Sequence, residues 1–161
     1  MNPNATWIRA SIIAGSAMFV FALAVAAIFA PQWRVLHVMQ ALPYIAVIIL
    51  TGRRSAWGYG AGVFTASFWN FLVLFRSPIG VALVHADFQR PDVVLQLFAA
   101  LGDFLIIVAC LVGFWRTRPA RRQWREFVAG GAIAIGYFLA MVWTVGPPEG
   151  VEHIKQALGL G

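Results

Sequence analysis

Charged residues are scarce in this sequence, and so are the residues that build sites in soluble enzymes. Only 11% of the 161 residues are charged, against about 25% in an average globular domain. The single cysteine, Cys110, lies inside an apolar run, which excludes a disulfide framework or a cysteine-based zinc site within one chain. No G-x-S-x-G, H-E-x-x-H or P-loop motif is present, so no catalytic residues are predicted.

Apolar runs are what the sequence has in abundance, since 61% of its residues are hydrophobic. A helix that rises by about 1.5 Å per residue needs about 20 apolar residues to cross a bilayer. The sequence therefore predicts an all-α integral membrane bundle of five transmembrane helices, in one multi-pass domain that covers 1–161. The predicted spans cover residues 10–30, 35–50, 56–75, 93–115 and 127–145.

The loop between the third and fourth spans is less polar than a surface loop usually is. Within the stretch 77–90, residues 79–86 are mostly apolar. A short helix that lies in the membrane interface or re-enters the membrane is therefore expected there. Asp92 follows Pro91 at the start of the fourth span and is expected as its N-cap.

Basic residues are distributed unevenly over the two sides of such a bundle. Lys and Arg number 12, of which eight fall on the side of the N-terminus and four on the other side. Because cytoplasmic loops are enriched in Lys and Arg, we expect a bacterial-type inner membrane protein with a cytoplasmic N-terminus and an external C-terminus. The same bias accounts for the pI of about 10.8 without nucleic-acid binding. Candidates for docking lipid phosphates or a cytoplasmic partner are Arg116, Arg118, Arg121, Arg122 and Arg125.

Small residues recur about every four positions in three of the spans. Such residues let helices approach closely, so these faces are predicted to pack against other helices. They are Ala10, Ala14 and Ala17 in the first span, Gly58, Gly62 and Ala66 in the third, and Ala132, Gly136 and Ala140 in the fifth.

Asp103 is the one acidic residue inside the predicted fourth span. An aspartate near the membrane midplane costs roughly 2.5–3.5 kcal/mol on insertion scales, so its side chain is expected to face protein or water. Steps of three and four place it on a small and polar helix face with Gln96, Ala100, Ile107 and Cys110. The opposite face is predicted to contact lipid and carries Leu97, Phe98, Leu101, Phe104, Leu105, Val108 and Leu111.

Further polar residues lie in the outer parts of the neighbouring spans. If their faces converge, they form a funnel that opens outward with the Asp103 carboxylate at its floor. Such a site can bind a cation, take up a proton or neutralise a basic solute. The structural alternative is a protonated Asp103 that hydrogen-bonds a backbone carbonyl or Asn70 and links helices. The candidate ligand- or proton-binding residues are Asp103, Gln96, Asn70, Trp69, His37 and Gln40.

No metal site or cofactor is predicted. His37, His85 and His153 are the only histidines, and their spacing does not bring them together. The polar pairs around the last two are typical of solvated loops.

One resemblance to a known family rests on small residues. The chain length, the alanine-rich first span and the stretch from Pro43 to Gly62 are mildly similar to the substrate-binding subunits of energy-coupling-factor vitamin transporters. Those subunits usually have six helices, so residues 79–86 would have to supply the sixth. The resemblance covers less than half of the chain and does not assign it to that family.

Three functions remain open from the sequence. The first is a non-catalytic accessory subunit of a larger membrane assembly, which the small size, small-residue faces and short loops favour. The expected partners are the lipid bilayer and other membrane subunits or further copies of the same chain. The second is a small-solute or proton carrier that uses Asp103. The third is a lipid-modifying enzyme, for which no nucleophile or base is paired with the arginines.

Overall fold

Five long helices account for most of the chain that the structure describes. The structure is a computed structural model, and it describes residues 3–76, 85 and 89–145. The helices are α1 (Pro3–Phe29), α2 (Arg34–Gly52), α3 (Ala56–Arg76), α4 (Pro91–Arg116) and α5 (Arg121–Val145), with a 3₁₀ turn at Pro31–Trp33. The prediction of an all-α bundle of five helices is therefore confirmed.

The lengths of the helices fit a membrane. By length and composition, four of them can cross one, within Thr6–Phe29, Pro31–Gly52, Pro91–Arg116 and Arg121–Val145. The remaining helix, α3, has 21 residues and rises by about 30 Å, which matches the thickness of a hydrocarbon core. The chain thus has the helices of a multi-pass membrane protein.

The helices extend beyond the apolar runs that predict them. Helix α5 begins at Arg121 rather than at residue 127, and the Ala120 N–H donates to Gln123 Oε1 at 2.9 Å just before its first turn. This side-chain cap starts the helix inside the basic loop, because a helix needs satisfied N–H groups and not apolar side chains. An apolar run therefore marks the membrane-embedded part of a helix and not its ends.

The expected N-cap of α4 is wrong. Pro91 occupies the first turn, so Arg90 takes the N-cap position in extended conformation. Asp92 lies in the first turn and forms an ion pair with Arg90, with 2.6 Å between Nη2 and Oδ2. The expected helix at 79–86 and the segment after Val145 fall outside the described residues, apart from His85.

Helix α3 lies in the middle of the bundle and packs against α2, α4 and α5, whereas α1 packs against α2 and α4. Two pairs of helices approach so closely that a side chain would not fit between them. A Cβ on Gly15 of α1 would overlap the Gly102 carbonyl of α4, and one on Gly60 of α3 would overlap the Phe127 carbonyl of α5. The first contact brings the backbone of α1 against the turn of α4 that carries Asp103.

The two faces of α4 lie where the periodicity predicts. The face with Asp103 is turned inward, and Ala99, Gly102, Ile106, Ala109 and Cys110 are buried on it. The bulky face is exposed at every predicted position, which are Leu97, Phe98, Leu101, Phe104, Leu105, Val108 and Leu111. In a membrane this exposed apolar face contacts lipid.

The three small-residue faces have different environments. On α3, Gly58, Gly62 and Ala66 are buried, and Gly62 packs against Val47 and Cys110. On α1 and α5 the small residues are exposed, and a Cβ on Gly136 would meet nothing within 4 Å. A small-residue repeat therefore indicates a smooth helix face. It does not indicate whether another helix of the same chain packs against that face. The exposed positions are Ala10, Ala14, Ala17, Ala132, Gly136 and Ala140.

Candidate functional site

A carboxylate is enclosed in the centre of the bundle. Asp103 has 0% exposed surface, and the Tyr44 hydroxyl of α2 donates a hydrogen bond to its Oδ1 at 2.9 Å. Asp103 Oδ2 is enclosed as well and has no hydrogen-bond partner among the described residues. The carboxyl group therefore keeps one oxygen that can hold a proton or accept a further hydrogen bond.

Tyr44 is a residue of this site that was not predicted from the sequence. It is buried in α2, four residues after Gln40 and seven after His37, so the three share one helix face. That polar stripe is the signal that would have identified it. The direct partner of Asp103 is thus Tyr44, and neither Asn70 nor a backbone carbonyl is in that position.

Aromatic rings continue from Tyr44 toward the end of the bundle at which α1 ends and α4 begins. The Phe19 ring of α1 stacks on the Tyr44 ring, with 4.1 Å between centroids and 16° between planes. The Trp69 ring of α3 meets Phe19 edge to face at 5.5 Å. Trp69 is therefore connected to Asp103 through two rings in van der Waals contact.

A cleft of about 950 Å³ lies between the C-terminal half of α1 and the N-terminal half of α4. Phe19 and Trp69 line it, and so do His37 and Gln96, whereas Tyr44 and Asp103 do not. The Phe19 ring thus forms part of the cleft wall and also covers Tyr44. The other lining residues that the structure describes are mainly apolar.

The predicted site residues form two groups in the structure. His37, Trp69 and Gln96 line the cleft, whereas Asp103, Gln40 and Asn70 do not. Gln40 is buried one turn from Tyr44, and Asn70 is half-buried on α3. The predicted funnel thus divides into this cleft and a polar centre of Asp103, Tyr44 and Gln40, and the Phe19 ring lines the cleft and stacks on Tyr44.

Several enclosed polar atoms have no hydrogen-bond partner in the described part of the chain. They fall into atoms of residues that line the cleft and atoms of residues that do not. Nitrogen atoms without partners belong to the three predicted residues that line the cleft: His37 Nδ1, Trp69 Nε1 and Gln96 Nε2. Oxygen atoms without partners belong to residues outside the cleft lining: Ser16 Oγ, Gln40 Oε1, Thr65 Oγ1, Asn70 Oδ1 and Asp103 Oδ2. Ser16 and Thr65, like Tyr44, are additions to the predicted set.

Unpartnered polar atoms are costly inside a protein. Each enclosed group without a partner costs about 1–3 kcal/mol, and native proteins usually satisfy such groups with ordered water or a ligand. The described residues therefore leave two sets of groups to satisfy. The Trp69 and Gln96 nitrogens beside the cleft can only donate and suit a hydrogen-bond acceptor, and Asp103 Oδ2 suits a proton, a cation or a donor.

The arginines predicted to dock lipid or a partner are exposed at the opposite end of the bundle. Arg116 lies over the Trp7 ring, with 5.5 Å from its Cζ to the ring centroid. Arg122 pairs with Glu126, with 2.9 Å between Nε and Oε1, and Arg118 has a positive φ of 51°. Exposed cations beside exposed tryptophans are typical of a membrane interface. The exposed residues of this end include Trp7, Trp115, Trp124, Arg116, Arg118, Arg121, Arg122 and Arg125.

The described residues contain no group of three His, Cys, Asp or Glu side chains that could hold a metal ion. Comparison of the chain with protein-family models, curated proteins and solved structures finds no match. The function therefore has to be argued from the cleft and the polar centre themselves.

The hydrogen bond between Tyr44 and Asp103 predicts an energetic coupling between these residues. In a double-mutant cycle with Tyr44→Phe and Asp103→Leu, we expect a coupling of about 1–3 kcal/mol, because the bond reaches a buried carboxyl group. The measurement is the free energy of unfolding in mixed micelles titrated with a denaturing detergent.

Tyr137 supplies the matched control for this cycle. Its hydroxyl donates to the Met39 carbonyl at 3.1 Å and is not bonded to Asp103. Tyr137→Phe with Asp103→Leu should couple by less than about 0.5 kcal/mol. Equal couplings in the two cycles would contradict the assigned bond.

Proposed function

We propose that this multi-pass membrane protein binds a proton or a small cationic solute at Asp103. The observation that carries the proposal is the enclosed carboxyl group, bonded by Tyr44 at Oδ1 and unpartnered among the described residues at Oδ2. An aspartate that only linked helices would be expected to have both oxygens satisfied.

The energetic cost of Asp103 supports the same proposal. An aspartate at this depth is unfavourable by roughly 2.5–3.5 kcal/mol on insertion scales, and one enclosed oxygen without a partner adds to that cost. A leucine would fill the position without either penalty. Asp103 therefore contributes little to the stability of the protein but is suited to bind a proton or a cation.

The polar residues around this centre add further oxygen atoms. Gln40 is one helical turn from Tyr44, and its Oε1 has no partner in the described part of the chain. Ser16 follows Gly15, whose backbone touches Gly102 next to Asp103. Hydroxyl and amide oxygens are ligands that suit a hard cation or a protonated solute. The proposed site therefore comprises Asp103 and Tyr44, with Gln40 and Ser16 beside them.

A second candidate function is the non-catalytic accessory subunit, and the exposed face of α5 favours it. Ala132, Gly136 and Ala140 lie on one side of this helix, and no other helix in the described chain covers them. Smooth faces of this kind pack against partner helices in membranes. A homo-oligomer or a complex with other subunits would cover this face.

The substitution Asp103→Asn tests the first proposal. We expect infrared difference spectra of the wild-type protein in lipid nanodiscs, recorded between about pH 5 and pH 9 or on addition of Na⁺, to show a carboxyl band. The band should be absent in Asp103→Asn and shifted in Tyr44→Phe, while circular dichroism shows that both variants are folded. A wild-type carboxyl signal that persists in Asp103→Asn would overturn the assignment to this residue, and a spectrum that responds to neither pH nor Na⁺ would leave Asp103 with a structural role.

Cysteine labelling tests the proposed orientation, in which the N-terminus and the α4–α5 loop are cytoplasmic. Cys110 is buried, so Cys110→Ala provides a background free of thiols. We expect a membrane-impermeant maleimide to label Gln32→Cys in intact bacterial cells and to label Ala120→Cys only after the membrane is opened. Both positions are exposed, so the reverse pattern would mean the opposite orientation.

Native mass spectrometry tests the second candidate. A subunit extracted gently from its own membrane should appear in a discrete assembly heavier than 17.7 kDa. Gly136→Leu should release the monomer, because the larger side chain separates the packed helices. Val38→Leu, at an exposed position of α2, should leave the mass unchanged. A wild-type protein that is monomeric in several mild detergents would contradict the subunit function.

A further inference from the structure

The cleft between α1 and α4 has an apolar rim that faces the position of the lipid. Phe21, Phe29 and Val94 line the cleft and are 58%, 81% and 48% exposed. The rings of Phe21 and Phe98 meet edge to face across the two helices at 6.0 Å. A molecule can therefore reach the cleft sideways from the hydrocarbon region of a membrane.

The inner wall of the same cleft carries one polar side chain from each of three helices among mainly apolar residues. Trp69 Nε1 is enclosed, has no partner among the described residues and can only donate a hydrogen bond. The amide nitrogen of Gln96 is also enclosed, lacks a partner among the described residues and can only donate. His37, whose Nδ1 is enclosed and unpartnered in the same part of the chain, lies on the same wall. A ligand that satisfies them must offer an acceptor.

We propose that the cleft binds an amphipathic molecule from the membrane, with its apolar part along α1 and α4 and a carbonyl or carboxylate head against His37, Trp69 and Gln96. The volume of about 950 Å³ lies within the range of about 300–1,000 Å³ that is usual for ligand sites. The described acidic residue of the lining, Asp92, is paired with Arg90 at the rim. The inner wall thus favours an acceptor head group over a cationic one.

This site is separate from the proposed centre at Asp103. Phe19 and Trp69 line the cleft, and Phe19 covers Tyr44, so a molecule in the cleft touches the rings and not the carboxyl group. The inference therefore goes beyond the proposed function, and the two can fail independently. Asp103→Asn should leave binding in the cleft unchanged.

Quenching of Trp69 fluorescence tests the inference. The probes are undecanoic acid with one bromine atom on a chain carbon close to the head group, its methyl ester, and the trimethylammonium compound of equal length with bromine at the same position. The contribution of Trp69 is the difference between the wild-type protein and Trp69→Phe in nanodiscs. We expect the acid or the ester to quench this contribution with a saturable concentration dependence. The ammonium compound should quench it without saturation.

Two pairs of variants locate the binding. Ala26→Phe fills the cleft and should abolish saturable quenching, whereas Ala24→Phe, at an exposed position outside the lining, should not. Gln96→Leu removes one donor and should weaken binding by about fivefold or more, whereas Gln32→Leu at an exposed turn should have no effect.

The outcomes separate the two sources of the head group. Tighter binding of the acid identifies a free carboxylate such as that of a fatty acid, and equal binding of acid and ester identifies a neutral carbonyl. Saturable binding of the ammonium compound alone, or quenching that Ala26→Phe leaves intact, would overturn the proposal. Loss of acid or ester binding in Asp103→Asn would show that the cleft and the polar centre are one site.

Discussion

The bundle is organised around the need to enclose one carboxyl group. Asp103 cannot face lipid without a cost of several kcal/mol, so α4 has to turn this face toward other helices. Gly102 and Gly15 let the backbone of α1 approach the same turn, and Tyr44 of α2 supplies the hydrogen bond. This bond joins α4 to α2, while α1 and α3 cover the inward face of α4. With that face covered, the bulky residues of the opposite face remain exposed.

The rings of Phe19, Tyr44 and Trp69, here called the aromatic layer, connect the cleft physically with the polar centre. Phe19 lies in the wall of the cleft and stacks on Tyr44, which holds Asp103. A change that moves the Phe19 ring therefore changes the packing of the tyrosine that binds the carboxyl group. By linkage, if a ligand in the cleft changes the affinity at Asp103 by some factor, binding at Asp103 changes the affinity of the cleft by the same factor. Independent binding at the two sites therefore requires that the Phe19 ring keeps its position when either site is occupied.

The sequence was sufficient for properties that depend on one helix at a time. Helix number, the approximate spans and the two faces of α4 follow from hydrophobicity and the 3.6-residue period, because a lone carboxylate identifies the inward face. The helix ends were less predictable, since Gln123 and Pro91 act through backbone groups that hydrophobicity does not report. The predicted N-cap at Asp92 failed for this reason.

Properties that depend on two helices were beyond the sequence. The polar stripe with His37 and Gln40 marks the helix face of Tyr44, but only the packing of the helices decides that Asp103 is its partner. The separation of the cleft from the Tyr44 hydroxyl depends on where the Phe19 ring lies. Polar residues in outer half-spans therefore predict a site, but the ring that separates its two parts has no signature in its own helix.

Ligand binding in the cleft and assembly through α5 use different surfaces of the bundle and do not compete. The cleft lies between α1 and α4, whereas the uncovered small-residue face belongs to α5, which packs mainly on the central helix α3. A partner helix on Gly136 would thus dock across α3 from the cleft. It would bury a face that the described chain leaves open, and it would not need to cover Phe21 or Val94 at the rim of the cleft. Assembly through α5 therefore leaves access from the membrane to the cleft, so a subunit of a larger complex can also be its ligand-binding component.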